Sequence, residues 1–111
     1  MNEKVLQTIL AFREERDWKQ FHTPKNLAMS IAIEAAELME VFQWSDGMAA
    51  ERVLPEDRAQ AREEIADVAI YLTLLANDLD IDLEQAMLDK VTQNARKYPA
   101  AKFRGVYKAD E

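Results

Sequence analysis

Apolar positions recur along this chain at helical spacing. Val5, Ile9 and Phe12, with Leu6 beside them, fall on one side of a stretch that predicts a first helix from about Asn2 to Trp18. After KQFHTPKN, Thr23 followed by Pro24 reads as a helix start, because a threonine can cap and a proline at the first helical position leaves no orphan amide. The second helix then runs from about Pro24 to Trp44, where SDG at residues 45 to 47 breaks it. A connector of weak helical character follows. Pro55, Glu56 and Asp57 open a third helix that continues to about Leu79, its acidic first turn suiting the positive end of the helix dipole. Asp82 with Gln85 resembles a capping box ahead of a fourth helix over roughly Leu83 to Lys97, which Pro99 stops. From about residue 100 the tail AAKFRGVYKADE reads as an extended or mobile arm.

These elements imply one all-α domain over residues 1 to 111. It is a four-helix bundle in which the second and third helices form the central antiparallel pair. Only 2 Gly and 3 Pro in 111 residues agree with few, long elements. A bundle this thin buries little surface alone, and Val91, Tyr98, Phe103 and Tyr107 offer apolar surface beyond what it covers. An oligomer is therefore expected, a homodimer or a homotetramer built as a dimer of dimers.

Composition narrows the chemistry. The absence of cysteine excludes disulfides, thiolate catalysis and Cys-ligated metal. No apolar run approaches the length of a membrane span and the N-terminus lacks a signal-peptide core, so no membrane partner and a cytoplasmic location are expected. A formal charge of −7 disfavours binding to a nucleic acid polymer. It still allows a small phosphate compound, provided that cations bridge the two.

Carboxylates in unusual company mark the candidate site. Within AIEAAELMEVFQW, Glu34, Glu37 and Glu40 recur at intervals of three among Ala, Ile, Leu, Met, Val and Phe. Ser30, Glu34 and Glu37 fall in one narrow stripe, and Glu40 drifts about 60° further round. In REEIADVAIYLTLLAN, Asp67 is the one charge between Ile65 and Asn77, and it shares its face with Tyr71, Leu74 and Leu75. Each central helix thus carries a pair at i and i+3, Glu34-x-x-Glu37 and Glu64-x-x-Asp67, and antiparallel neighbours would let the pairs converge. Four converging carboxylates repel one another and resist desolvation, a cost that hard divalent cations offset. The plainer reading of any one such pair is a solvated helix face. A di-iron centre would need Glu-x-x-His motifs, and the single histidine, His22, lies in none.

Glu34-x-x-Glu37, 26 intervening residues and Glu64-x-x-Asp67 resemble the signature of the all-α, MazG-like nucleoside triphosphate pyrophosphohydrolases. FREERDWKQFHTPKNLAMSIAIEAAELMEVFQW, EEIADVAIYL and NARKYP resemble the dCTP pyrophosphatase branch of that family, and the likeness covers roughly residues 5 to 100. It implies hydrolysis of dCTP or a modified pyrimidine deoxynucleoside triphosphate to the monophosphate and pyrophosphate. Glu34, Glu37, Glu64 and Asp67 match the catalytic ligands of magnesium, for which manganese can substitute. Trp18, His22, Trp44 and Tyr71 match positions that shape the nucleotide pocket. Asn94, Lys97 and Tyr98 match the NxxKYP element, with Lys90 one turn earlier. At residue 9 the chain departs from the branch, with Ile9 where a polar nucleotide-contacting residue can stand. Two non-catalytic rivals are an acidic helical module that binds a partner protein and a nucleotide-binding protein without turnover.

Overall fold

A computed structural model describes residues 2–47 and 49–106; among these there are helices and turns but no strand. Two compact units make up the chain, residues up to Asp80 and residues from Ile81 onward. The first holds α1 (Glu3–Glu15), α2 (Pro24–Phe42) and α3 (Pro55–Asp78), with 3-10 turns at Lys19–Phe21 and Ala50–Arg52. The second holds α4 (Leu83–Lys97) and a short α5 (Ala100–Phe103).

Local chemistry explains the boundaries. Asn2 caps α1 by accepting from the Lys4 amide at 2.8 Å. Thr23 caps α2 by accepting from the Asn26 amide at 3.2 Å, with Pro24 at the first helical position. Asp82 caps α4 through the Gln85 amide at 3.0 Å. The capping box is only half made, because the Gln85 side chain donates forward to Asp89 at 2.9 Å.

Three expectations need correction. The first helix stops at Glu15 instead of reaching Trp18, because Asp17 takes a left-handed conformation at φ 54°. The Asp17 amide then donates to Glu14 O and the Trp18 amide to Arg13 O, which folds the chain back on the last turn of the helix. A short acidic side chain tolerates this conformation better than a bulky one. The second helix stops at Phe42, and Gly47, at φ 76°, donates to Ser45 Oγ at 3.3 Å in the turn beyond it. The tail is not extended from residue 100, since residues 100–103 close one helical turn with Phe103 edge-on to Tyr98 at 5.1 Å. Tyr107, the other apolar residue expected to matter there, lies outside the described residues.

In the first unit, α3 packs along α2 and against α1. The α2 stripe that meets α3 runs through buried Leu27 and half-buried Ile31, Glu34, Leu38 and Val41. The facing stripe on α3 runs through Ala61, Glu64, Val68, Tyr71, Leu74 and Leu75. A glutamate thus occupies a position in each stripe where an apolar side chain would otherwise stand. On α1 the inward side is Leu6, Ile9, Leu10 and Arg13, with Val5 and Phe12 exposed. This rotates the helix from the expected Val5, Ile9 and Phe12 face, and the Arg16 guanidinium covers the Phe12 ring at 3.7 Å.

Candidate metal and nucleotide site

Glu34 and Glu37 of α2 meet Glu64 of α3, with one carboxylate oxygen from each lying within 4.8 Å of the others. Glu34 lines one cavity with Asp67 while Glu37 contacts Glu64, so residue numbers rise along α2 as they fall along α3. That is the antiparallel arrangement, and it converts two i, i+3 spacings into one cluster.

Two of the carboxylates are short of partners. Oε2 of Glu34 and Oε2 of Glu64 are buried and accept no hydrogen bond. Burial, reinforced by the hydrogen-bonding contact and charge of Glu37 and by the charges of Asp67 and Glu64, pushes the Glu34 carboxyl up to about 7. Glu64 is raised as well, by desolvation first and then by Glu37. Glu37, Glu40 and Asp67 are exposed. The sequence marks Asp67 as the carboxylate in odd company, whereas in the fold Glu64 occupies the packed stripe and Asp67 stands at the cavity wall. Buried oxygens without donors and three carboxylates at mutual ligand distance make a donor set suited to a hard divalent cation.

Beside this cluster a cavity of about 350 Å³ opens between α1, the loop after it, α2 and α3. Trp18, His22 and Tyr71 share its wall with Glu34 and Asp67. His22 stands edge-on to Tyr71, with ring centroids 6.3 Å apart, and its buried Nδ1 has no partner. Burial and the neighbouring Arg13 charge hold His22 below its ordinary pKa, with Asp78 acting in the opposite sense. Trp18 meets Phe12 edge-on at 5.7 Å. Trp44 is not part of this wall: it lies beyond the end of α2 and is 89% exposed. Lys90, Asn94, Lys97 and Tyr98 belong to the second unit. There Lys90 Nζ donates to Gln93 at 3.0 Å, and Lys97 Nζ stands 5.3 Å from the centre of the Tyr98 ring.

The sequence reading passes over Thr8, Arg13 and Ile70 in the wall, and over Asp78 behind it. Arg13 is 4% exposed and donates from both Nη atoms to the Asp78 carboxylate, each at 2.8 Å. Its register with Leu6 and Ile9 on the inward face of α1 is the signal that marks it. Ile9 itself lines the cavity, so the departure from the family pattern at residue 9 falls inside the site.

The MazG-like family model matches residues 29–109. The chain is 43% identical over 96 residues to dCTP pyrophosphatase 1 of Bos taurus, covering 85% of this chain and 57% of the relative. Against dCTP pyrophosphatase 1 of Homo sapiens it is 46% identical over 91 residues, 80% of this chain and 54% of the relative. The chain thus spans little more than half the length of the curated relatives it matches. Among solved structures, a pyrophosphatase from Archaeoglobus fulgidus superimposes with a TM-score of 0.79 at 44% identity, over 87% of this chain and 91% of that one. With a family model covering most of its length and relatives above 40% identity over most of the chain, the protein belongs to the MazG-like family.

Proposed function

We propose that the chain hydrolyses a nucleoside triphosphate, dCTP or a modified pyrimidine deoxynucleoside triphosphate, to the monophosphate and pyrophosphate in a magnesium-dependent reaction. The observation that carries this reading is the pair of buried, unpartnered oxygens on Glu34 and Glu64 beside an aromatic-walled cavity. Relatives named dCTP pyrophosphatase support the choice of substrate.

Glu34, Glu37 and Glu64 would supply metal-ligand oxygens from the helix interface, with Asp67 adding a fourth carboxylate from the cavity wall. Bound there, magnesium would offset the charge of the triphosphate, polarise the α-phosphoryl group and activate a water. Trp18 and Tyr71 offer ring faces or edges to a base. His22, held neutral, offers Nδ1 for one hydrogen bond without adding charge to the base end. Trp44, Lys90, Asn94, Lys97 and Tyr98 enter as substrate-binding residues through the family resemblance. In this reading residues 1 to 111 work as one catalytic domain, in the cytoplasm, as a homodimer or homotetramer that clears unwanted nucleotides from the pool.

Turnover in heavy-oxygen water tests the regiochemistry. Attack at the α phosphorus places label in the nucleoside monophosphate. Label confined to released orthophosphate would identify an ordinary phosphatase and defeat the proposal.

A further inference from the structure

Arg13 is the one buried charged residue among the described residues, and the reaction proposed above makes no use of it. Both Nη atoms already donate to Asp78, so its charge is largely offset before any phosphate arrives. The pairing raises the Arg13 pKa and holds the Asp78 carboxyl below the usual carboxylate range, so both stay charged. Stability alone gives a poor reason for such a pair. Desolvating two charges offsets most of their attraction, and apolar replacements of similar volume are often as stable or more so.

The location of the pair suggests another reason. Arg13 sits in the last turn of α1, and Asp78, 65 positions later, is the last residue of α3. The carbonyl of Arg13 also accepts the Trp18 amide at 3.2 Å, the bond that turns the chain back after left-handed Asp17. Trp18 reaches the cavity through that turn, and His22 follows after one 3-10 turn. A single residue therefore ties the side chain that locks α1 onto α3 to the backbone that aims the aromatic wall.

We propose that Arg13 and Asp78 are positioning residues for nucleotide binding: paired between α1 and α3, they hold the end of α1 so that Trp18 and His22 stand in the cavity wall. The inference rests on the reading of the cavity as a nucleotide site.

The decisive variant is the double replacement Arg13→Met with Asp78→Leu, which removes both charges while keeping apolar bulk. Steady-state kinetics with dCTP and magnesium should show KM raised roughly tenfold, the scale of one weakened base stack, with kcat within about threefold. Arg13→Lys, which keeps the charge but loses the two-pronged grip, should fall between. The emission maximum of Trp18 in the free protein, read in a Trp44→Phe background because the chain has 2 tryptophans, should move to longer wavelength in the double variant. A folded double variant with wild-type KM and unchanged Trp18 emission would overturn the proposal and leave the pair a purely structural tie. If the double variant does not fold, Arg13→Lys decides on the same two readouts. If the wild type neither binds nor turns over any nucleoside triphosphate, the functional reading fails by itself. The Trp18 emission then still judges the pair, and an unchanged maximum overturns it.

Discussion

Glu34 on α2 and Glu64 on α3 each bury one carboxylate oxygen in the helix interface with no donor to meet it. Both carboxyls are consequently harder to ionise than in an unfolded chain, Glu34 at about 7 against an ordinary 4.5. A protein built this way holds a cost that a divalent cation bound between the carboxylates would relieve.

Stability of the metal-free protein should therefore depend on pH in a defined sense. Because the folded pKa of Glu34 is raised, the fold binds the proton more tightly than the unfolded chain does. Its contribution is fully present below about 4.5 and is lost as pH rises through about 7. His22, lowered in the fold, works oppositely below its ordinary 6.5, so the clean quantity is the difference between the wild type and Glu34→Gln. Urea titrations should show the wild type losing ground to Glu34→Gln as pH climbs from about 5 to about 8. A difference independent of pH would mean that the Glu34 carboxyl is not strained.

Metal and carboxylate variants should separate repulsion from ligation. Without metal, Glu34→Gln should raise the melting temperature more than Asp67→Asn, because Glu34 is the more buried and more crowded group. Both variants should lose nearly all turnover and much of the stabilisation that added magnesium gives the wild type. Full activity with unchanged melts in Asp67→Asn would return that residue to a solvated face.

In the cavity, Tyr71→Ala should raise KM for the preferred nucleotide more than for a poor one, since a base stack is worth about 1–3 kcal/mol. His22→Ala should act in the same direction more weakly. Equal losses for every nucleotide would place these rings in the packing of the core. Trp44→Ala gives an informative contrast: within one chain its ring is almost wholly exposed, so a KM effect of similar size would mean that assembly brings it to the substrate.

An oligomer is the expected outcome of how little one chain covers. The buried apolar residues described are Leu27, Ala61, Leu74 and Ala76, whereas Met29, Ile33 and Met39 along α2 are each more than half exposed. Light scattering at micromolar concentration should show at least a dimer, and Ile33→Asp should weaken it. A folded, active monomer would refute this.

Much of the architecture is local and could be read in advance. Thr23 and Asp82 set helix starts through hydrogen bonds that span three residues, and Pro55 with its acidic turn sets another without a side-chain cap. The carboxylate pairs were equally legible, since i, i+3 spacing fixes which side chains share a face. The ends of α1 and α2 were less so. Asp17 takes a left-handed turn that its neighbours do not announce, and the Trp18 that seemed to close a helix belongs to the loop beyond it.

By itself the sequence determined that the chain is helical, where most helices begin, and that Glu34, Glu37, Glu64 and Asp67 form i, i+3 pairs on the two central helices. Those properties depend on backbone hydrogen bonding, capping and side-chain period, all of which act over a few residues. Only the tertiary structure decided that Glu64, more than Asp67, carries the desolvation, that Trp44 stands apart from the cavity, and that Arg13 grips Asp78. Each of these depends on which face of a helix meets a neighbour and on how far water is excluded there. Burial and partner choice between residues 65 positions apart belong to packing, and no local pattern encodes them.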